Sequence, residues 1–450
     1  MSKTVSILGA GESGVGAAIL AKKLGFRVFV SDMGNIKNNY LEELKENEIE
    51  FEQDSHNKKV ILASDIVVKS PGIPDTASLI VELHKNGIEV ISEIEFASRY
   101  TDAIIIGITG ANGKTTTAML TYSILINANY NVGLAGNIGK SFARQVAKEE
   151  YDYYVLELSS FQLDGIKTFK PHIAILLNIT PDHLDRYDND FNNYRDSKLR
   201  LAMNQTEEDY LIYDANDEGN LSGLADNPIK AIKVPYGEDI IKLGKKIYGE
   251  LNEKIIEMRF ENETTTMTIE DLALQGNHNV RNSMAGGMAA KLLGVHNKNI
   301  RTALSSFESV EHRLENVARF EGINFINDSK ATNVNATFHA LNSMKKTTVW
   351  IVGGVDKGND YSDLIRFVRG KVRAIVCLGV NNSKILNVFE DEVDIITETR
   401  SMQEAVNMAY TLAKNGDNVL LSPACASFDL FENFEDRGNQ FKDEVNNLNK

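Results

Sequence analysis

The stretch Ile104-Ile105-Ile106-Gly107-Ile108-Thr109-Gly110-Ala111-Asn112-Gly113-Lys114-Thr115-Thr116-Thr117 carries the strongest fold signal in this chain. An apolar, β-branched run leads into a glycine-rich turn and then into a helical pattern, which is typical of a phosphate-binding loop between a strand and a helix. We expect the turn's backbone N–H groups and Lys114 to bind the phosphates of ATP, and the Thr115 hydroxyl to bind Mg²⁺. Ile108 stands where the usual motif begins with glycine, so a purely structural turn is the alternative.

The composition is that of a multidomain globular protein. Its 450 residues are too many for one hydrophobic core and predict about three domains. No apolar run approaches the ~20 residues that span a bilayer, and the first residues enter a strand pattern directly, so we expect neither membrane insertion nor a signal peptide. A net charge of −15 argues against a nucleic-acid-binding surface. With two cysteines, Cys377 and Cys425, a disulfide framework is not expected and a cytoplasmic location is favoured.

Strand-like and helical patterns alternate along the chain, which predicts parallel sheets covered by helices. We predict three consecutive α/β domains over residues 1–98, 99–310 and 311–450. Residues 245–273 change to a small antiparallel meander that decorates the central domain. The predicted parallel strands include Thr4–Leu8, Arg27–Ser31, Ile66–Lys69, Glu89–Ile91, Tyr153–Glu157, Ile173–Asn178, Asn324–Asn327, Thr348–Val352, Ala374–Leu378 and Asn418–Leu421.

A second glycine-rich turn, Gly9-Ala10-Gly11-Glu12-Ser13-Gly14, follows the first strand, and Asp32 ends the second strand. This spacing fits a dinucleotide-binding fingerprint, which would indicate an NAD-dependent enzyme. A UDP-sugar can occupy the same crevice, and a turn without a ligand is a third interpretation. The segment Ser70-Pro71-Gly72-Ile73-Pro74 follows another strand, where it is either a ligand loop or simply a rigid turn.

Polar side chains also follow two strands of the central domain. Glu157 ends one predicted strand, and His183 lies in the loop after the next. Either residue by itself is more often structural, but two of them beside a phosphate-binding loop favour a role in binding Mg²⁺. Lys198, judged by its spacing, is a lysine on a helix surface.

These motifs, taken together, resemble those of the muramyl (Mur) ligase family. The resemblance covers nearly the whole chain. Its most specific parts are Thr109–Thr116, Leu156–Leu163, Asn178–Tyr187, Gly276–Asn282, His312–Glu315, Asn327–Asn333 and Leu421–Phe441.

The resemblance implies a fold and an activity. It implies a Rossmann-like first domain that binds a UDP-sugar, a central P-loop domain that binds ATP, and a Rossmann-like third domain that binds an amino acid and closes on the others. The implied reaction is ATP-dependent ligation of D-glutamate to UDP-N-acetylmuramoyl-L-alanine through an acyl phosphate, in peptidoglycan synthesis. A monomer with two Mg²⁺ ions is expected. The alternatives are a sister Mur ligase or a folylpolyglutamate-type ligase with another amino acid substrate, and, outside the family, a non-catalytic ATP switch.

The resemblance also implies residue roles. Lys114, Glu157, His183 and Lys198 would be catalytic, with Thr115, Glu157, His183 and Lys198 at the metal ions and a CO₂-derived carbamate on Lys198. The implied ATP-binding residues are Gly110, Asn112, Gly113, Lys114, Thr115, Thr116, Asn279, Asn282, Arg313 and Asp328. The implied UDP-substrate residues are Ser13, Asp32, Ser70, Gly72, Asn137, Ser159 and Gln162. The implied amino-acid pocket consists of Lys330, Thr332, Lys357, Ser427 and Phe434.

The last set also makes chemical sense by itself. D-glutamate has two carboxylates, and Lys330 and Lys357 would supply matching positive charges. Both lysines follow predicted strand ends, whereas lysines in general are more often solvated at the surface. A hinge for closure of the third domain is expected near residues 308–311.

Overall fold

The computed structural model describes residues 3–261, 263–307, 311–356 and 358–448. It divides into two compact units, one formed by Met1–Ala273 with Asn279–Phe307 and the other by Leu274–His278 with Glu308–Lys450. Within the described residues, no helix is long and apolar enough to cross a bilayer. The expected hinge lies mostly outside these residues, since 308–310 are not described.

The first sheet, in the first unit, is parallel throughout. Its strand order is β3-β2-β1-β4-β5. Buried Val, Ile and Leu side chains face both sides of the central strands because helices cover both faces. The strands are β1 (Thr4–Leu8), β2 (Arg27–Ser31), β3 (Glu50–Glu52), β4 (Ile66–Lys69) and β5 (Glu89–Ser92).

The second sheet, in the same unit, has the order β14-β13-β12-β11-β10-β9-β6-β8-β7. Strand β6, which leads into the glycine-rich loop, lies between β9 and β8, so the loops after these three strands share one edge. The strands are β6 (Ile104–Thr109), β7 (Val132–Gly136), β8 (Tyr153–Glu157), β9 (Ile173–Leu176), β10 (Tyr210–Asp214), β11 (Ile232–Gly237), β12 (Ile247–Asn252), β13 (Ile255–Phe260) and β14 (Glu263–Thr268).

The third sheet belongs to the second unit and has the order β15-β16-β20-β17-β18-β19. Strand β15 is antiparallel to β16, and the other pairs are parallel. The strands are β15 (Glu315–Phe320), β16 (Ile323–Asn327), β17 (Thr348–Val352), β18 (Val372–Leu378), β19 (Ile396–Thr399) and β20 (Asn418–Leu421).

Helices cover the faces of all three sheets. In the first unit they are α1 (Glu12–Lys23), α2 (Asn38–Glu46), α3 (Lys58–Ile61), α4 (Ser78–Lys85), α5 (Glu93–Ser98), α6 (Lys114–Asn127), α7 (Phe142–Lys148), α8 (Ser160–Asp164), α9 (Phe191–Leu199), α10 (Glu218–Asp226), α11 (Asn277–Leu292, whose first two residues fall in the second unit) and α12 (Asn297–Ser306). In the second unit they are α13 (Val334–Ser343), α14 (Ile365–Lys371), α15 (Ser383–Phe389), α16 (Met402–Leu412) and α17 (Phe434–Asn447).

The predicted α/β fold class is confirmed, and most predicted strands match within two residues. The meander is also present, but β12 pairs in parallel with β11, so it extends the central sheet instead of standing apart from it. Strands β3, β7, β10, β11, β15 and β19 were not predicted.

Candidate active site

The loop after β6 is shaped by glycine. Gly113, directly before α6, has φ +84° and lies against Asn282 of α11, where a Cβ atom would be 2.4 Å from the Asn282 Oδ1. A larger residue would have to adopt a strained conformation and displace that amide. The close approach therefore places the start of α6 beside Asn282, whose side-chain NH₂ donates to the Asn279 Oδ1 at 3.3 Å.

Asn178, at the end of the neighbouring strand β9, fixes the same loop from the other side. Its carbonyl oxygen accepts from the Ala111 N–H at 2.7 Å, and its side chain exchanges two hydrogen bonds with the backbone of Asn112, at 2.9 and 3.0 Å. Asn178 was given no role from sequence. The signal that could have identified it is an amide residue at the strand end next to a phosphate-binding loop.

Two lysines meet at this loop. The Lys114 Nζ donates to the carbonyl oxygens of Gly110 and Ala111, at 2.8 and 2.7 Å, and the Lys198 Nζ donates to the same Gly110 oxygen at 2.8 Å. The interpretation of Lys198 as a surface lysine is wrong, because its side chain is 2% exposed and packs over the Tyr194 ring. Burial, together with the charge of Lys114, lowers the pKa of the Lys198 amine well below its usual range.

Glu157, the last residue of β8, contacts the start of α6. Its Oε2 accepts from the Thr115 hydroxyl at 2.7 Å, and its Oε1 accepts from the Asn137 side chain at 3.0 Å. Glu157 and Thr115 are both buried, as is Thr116. A carboxylate and a hydroxyl oxygen at this distance suit a hard cation such as Mg²⁺.

His183 lies in the loop after β9, as predicted. Its backbone has φ +52°, which is uncommon outside glycine, and its ring packs edge-on against Phe161 with centroids 5.2 Å apart. The side chain is 40% exposed, and its Nε2 is 3.6 Å from the Asp182 carboxylate. Among the described residues, no three His, Cys, Asp or Glu side chains form a ready metal cluster, so a cation here would also need ligands such as hydroxyl or phosphate oxygens.

Asp32 holds the glycine-rich turn Gly9–Gly14, which follows β1. Its two carboxylate oxygens accept from the backbone N–H groups of Ala10, at 2.6 Å, and Gly34, at 2.8 Å. At Gly14 a Cβ atom would be 1.9 Å from the Gly9 oxygen, so α1 packs directly on the turn. In this structure Asp32 organises the turn, and Ser13 lies half-buried beside it.

The remaining predicted UDP-substrate residues lie in the loop after β4 (Ser70 and Gly72), directly after β7 (Asn137) and after β8 (Ser159 and Gln162). Ser159 and Gln162 form a capping box at the start of α8. The Gly72 carbonyl in the β4 loop accepts from the Arg186 guanidinium at 3.2 Å, and that guanidinium lies 4.5 Å from the Phe161 ring centroid. Arg186, which we did not single out from sequence, thus ties the Ser70–Gly72 loop to the segment that carries His183.

In the second unit, predicted residues cluster after β16. The buried Asp328 accepts from the Ser422 hydroxyl at 2.8 Å and the Leu314 N–H at 3.2 Å. Burial raises its pKa to about 7, against the hydrogen bond from Ser422 and the charge of Arg313. Lys330 lies two residues further, with its Nζ 5.1 Å from the Phe434 ring centroid.

Arg437, on α17, is a functional candidate that was not identified from sequence. Its side chain is 1% exposed and donates to the Ser329 hydroxyl at 3.0 Å, to the Ser329 carbonyl at 2.8 Å and to the Cys425 carbonyl at 3.2 Å. Burial lowers its pKa to about 10. By these bonds Arg437 joins the loop after β16 to the loop after β20, which carries the buried Ser427. Thr332 is half-buried, and Lys357 lies outside the described residues.

Comparison with known proteins identifies the family of the chain. Three family models match in chain order: the Mur ligase MurD-like N-terminal domain over residues 3–92, the Mur ligase middle domain over 108–290, and the Mur ligase glutamate ligase domain over 312–425. The chain belongs to the Mur ligase family, so the resemblance seen in its motifs is confirmed.

Individual relatives are similar along the whole length. The chain is 56% identical to the UDP-N-acetylmuramoylalanine--D-glutamate ligase of Christiangramia forsetii, over 100% of both chains. It is 53% identical to the enzyme of the same name from Bacteroides thetaiotaomicron, over 99% of this chain and 100% of the relative. A crystal structure of MurF ligase from Thermotoga maritima in complex with ADP has a TM-score of 0.60 at 15% identity, covering 94% of this chain and 95% of that one.

Proposed function

We propose that the protein joins D-glutamate to UDP-N-acetylmuramoyl-L-alanine at the expense of ATP, as a step of peptidoglycan precursor synthesis. The observation that carries this proposal is the 56% identity, over the full length of both chains, to an enzyme named for that reaction. The loop around Gly110 supplies the geometry that ATP-dependent ligation needs, since two lysines and a helix N-terminus converge there.

The reaction has two steps. A carboxylate oxygen of the L-alanyl group attacks the γ-phosphorus of ATP, the bond from that phosphorus to the bridging oxygen breaks, and ADP leaves. The amine of D-glutamate then attacks the carbonyl carbon of the acyl phosphate, the carbon–oxygen bond to phosphate breaks, and the amine nitrogen loses a proton. ATP is needed because a free carboxylate has no adequate leaving group.

In this proposal the residues around Gly110 act on the first step. The Lys114 ammonium neutralises charge that builds up on the phosphoryl oxygens, and the N–H groups at the start of α6 orient them. Asn178 keeps the loop in shape without touching the nucleotide, because its bonds go to the loop backbone. Asn282, which lies against Gly113, and its hydrogen-bond partner Asn279 bind the nucleotide, and the complex of the MurF ligase with ADP is consistent with this use of the fold.

Mg²⁺ would be held by the Thr115 hydroxyl and Glu157, with His183 and Lys198 near a second ion. Bound Mg²⁺ supplies charge neutralisation for the transferred phosphoryl group. The buried Lys198 amine is suited to a CO₂-derived carbamate, since its environment disfavours the ammonium form. A carbamate would turn this position from a hydrogen-bond donor into an acceptor.

The UDP-sugar would occupy the crevice lined by the glycine-rich turn after β1, the Ser70–Pro74 loop after β4, and the Asn137 and Ser159 loops of the second sheet. Arg186 holds one side of this crevice in place by its bonds to the Pro71 and Gly72 carbonyls. We expect the D-glutamate pocket to be formed by Lys330, Thr332, Lys357, Ser427 and Phe434, of which Lys330 and Phe434 are in contact. In that pocket a lysine side chain would pair with a carboxylate of D-glutamate. Arg437 connects the loops after β16 and β20 through its hydrogen bonds to Ser329 and Cys425.

The test is incubation with ATP, Mg²⁺ and UDP-N-acetylmuramoyl-L-alanine, with D-glutamate, L-glutamate, L-alanine or a diamino acid supplied in turn. We expect ADP, phosphate and a product whose mass equals both substrates minus one water, with D-glutamate as the substrate. A product with a different amino acid and none with D-glutamate would refute the assignment of the substrate. ATP hydrolysis that does not respond to the UDP-substrate would refute the ligase activity itself.

We also propose a cellular location and an oligomeric state. We place the enzyme in the cytoplasm, where ATP is available and where the free, buried thiols of Cys377 and Cys425 stay reduced. We also expect a monomer, which light scattering coupled to size exclusion would check against the mass of 50.0 kDa.

A further inference from the structure

Asp164, the last residue of α8, joins two segments of the candidate active site. Its Oδ1 accepts from the Ser197 hydroxyl at 2.5 Å, and its Oδ2 accepts from the Tyr187 hydroxyl at 2.9 Å. The two hydroxyl oxygens are 3.2 Å from each other. Ser197 is 4% exposed and Tyr187 is 7% exposed, so water competes little for these bonds.

Each hydroxyl belongs to a segment that presents a candidate catalytic group. Ser197 precedes Lys198 on α9, and Tyr187 ends the short turn that begins at His183. That turn is closed by backbone hydrogen bonds from Arg186 to His183 and from Tyr187 to Leu184. The position of one carboxylate therefore sets the positions of both segments.

Side-chain packing follows the same path. The His183 ring contacts Phe161, Phe161 stacks on Tyr187 with centroids 6.1 Å apart, and Tyr187 contacts Tyr194 at 5.5 Å. The Lys198 Nζ lies 4.6 Å from the Tyr194 ring centroid. A continuous row of aromatic rings thus connects the imidazole to the amine, and the carboxylate of Asp164 anchors the middle of that row through the Tyr187 hydroxyl.

We propose that Asp164 is a positioning residue, which holds His183 and Lys198 at a fixed separation through Tyr187 and Ser197. This inference rests on the proposed function, because it is the ligation reaction that uses the two groups. Charge-assisted hydrogen bonds are stronger than neutral ones, and Asp164→Asn removes the charge and replaces one of the two acceptor oxygens by an NH₂ donor, so that only one of the two buried hydroxyls keeps this acceptor. The expected consequence is a displacement of both segments, with the fold itself retained.

The test compares Asp164→Asn with a matched variant, Asp209→Asn. Asp209 is 2% exposed and likewise accepts a hydroxyl hydrogen bond, from Thr206 at 2.9 Å, but it precedes β10 at the edge of the sheet opposite the strand ends that carry the site. Three quantities are measured for each protein: the kcat and KM of ligation, the melting temperature, and amide hydrogen exchange in residues 182–199.

For Asp164→Asn we expect kcat to fall about 10-fold or more, a KM for D-glutamate within about threefold of the original value, and faster exchange in residues 182–199. Asp209→Asn should lower the melting temperature to a similar extent with kcat and that exchange unchanged. Tyr187→Phe should lower kcat by itself and add nothing to Asp164→Asn, since both act through one network.

A kcat of Asp164→Asn within twofold of the unsubstituted enzyme would overturn the inference. So would an equal loss of kcat in Asp209→Asn, because the effect would then be general destabilisation. If the unsubstituted protein formed no ligation product, the proposed function would have failed, and unchanged exchange in Asp164→Asn would separately refute the structural claim.

Discussion

Lys114 and Lys198 donate hydrogen bonds to the same carbonyl oxygen, that of Gly110, each at 2.8 Å. Lys114 starts α6 and Lys198 lies near the end of α9. The shared Gly110 oxygen therefore brings together two parts of the chain that are 84 residues apart in sequence. Burial, and after it the charge of Lys114, lowers the pKa of the Lys198 amine, because two charged amines this close repel each other. Anionic phosphates entering the loop would relieve this repulsion.

Substitution of Lys114 should abolish the first step of the reaction. Lys114→Ala removes the cation nearest the loop, and we expect ligation to slow by about 1000-fold or more, since positioned charges dominate phosphoryl transfer. Binding of the UDP-substrate, followed by calorimetry, should stay within about threefold, because its proposed contacts lie elsewhere. Lys242→Ala, at a lysine side chain that is 71% exposed, is the matched control. Loss of UDP-substrate binding in Lys114→Ala would contradict the assignment of the two sites.

Lys198→Arg tests the proposed carbamate. Arginine keeps the positive charge and a hydrogen-bond donor but cannot form a carbamate, and its larger head must fit a buried site. We expect activity to fall by about 100-fold or more. In the unsubstituted enzyme, activity should decline when bicarbonate and CO₂ are removed and recover when they are restored. Full activity of Lys198→Arg would remove the carbamate from the mechanism.

Lys198 also shows what the sequence could and could not predict. The positions of Lys114, Glu157 and His183 at or after the ends of β6, β8 and β9 were predicted from sequence, because a motif and a strand end coincide in each case. The burial of Lys198 was not predicted from spacing, because the sequence of α9 is mostly polar. The environment of Lys198 depends on the Tyr194 ring and on the Gly110 carbonyl, which is distant in sequence. Spacing alone had placed Lys198 on a solvated helix surface. Its proposed catalytic role came from the resemblance to the family.

Glu157→Gln tests the proposed Mg²⁺ site. The amide keeps an oxygen that can accept from the Thr115 hydroxyl, so the fold should survive, but the negative charge is lost. We expect kcat to fall about 100-fold and the Mg²⁺ concentration for half-maximal rate to rise by about 10-fold, since magnesium prefers carboxylate ligands. Asn137→Ala, which removes the other hydrogen bond to Glu157, should have a smaller effect on Mg²⁺ dependence. An unchanged Mg²⁺ requirement in Glu157→Gln would exclude this carboxylate from the site.

Lys330→Met tests the amino-acid pocket. Methionine preserves much of the packing against Phe434 and removes the charge that would pair with a substrate carboxylate. We expect the KM for D-glutamate to rise by about 10- to 100-fold, which corresponds to the loss of one charge-assisted hydrogen bond. The KM for the UDP-substrate should change by less than about threefold. If both constants rose equally, Lys330 would not be specific to the amino acid.

The second unit was less predictable than the first for a physical reason. Lys330 follows a buried strand and could be placed from sequence, whereas Arg437 lies on a helix with an otherwise ordinary amphipathic pattern. Nothing in the spacing of Arg437 indicates that its guanidinium is buried and hydrogen-bonded both to Ser329, 108 residues away in sequence, and to the Cys425 carbonyl in the loop after β20. Such long-range bonds are set by how the strands are ordered in the sheet.

Glu93, at the start of α5, should make the stability of the first unit depend on pH. The side chain is 2% exposed, its Oε1 accepts from the Ala143 N–H of α7, and burial raises its pKa to about 8, with a further contribution from the charge of Glu12. In the unfolded chain the same group titrates near its ordinary value of 4.5. Between these two values the folded state holds a proton that the unfolded state has released, so the free energy of unfolding decreases as pH rises.

This contribution to the free energy of unfolding is complete below about pH 4.5 and is lost as pH rises through about 8, and the loss amounts to at most about 5 kcal/mol. Glu93→Gln keeps an oxygen that accepts from Ala143 and cannot ionise. Its melting temperature should therefore exceed that of the unsubstituted protein increasingly from about pH 5 to about pH 9, whereas Glu207→Gln, at an exposed turn, should follow the unsubstituted protein throughout. Parallel curves for Glu93→Gln and the unsubstituted protein would show that Glu93 does not carry this pH dependence.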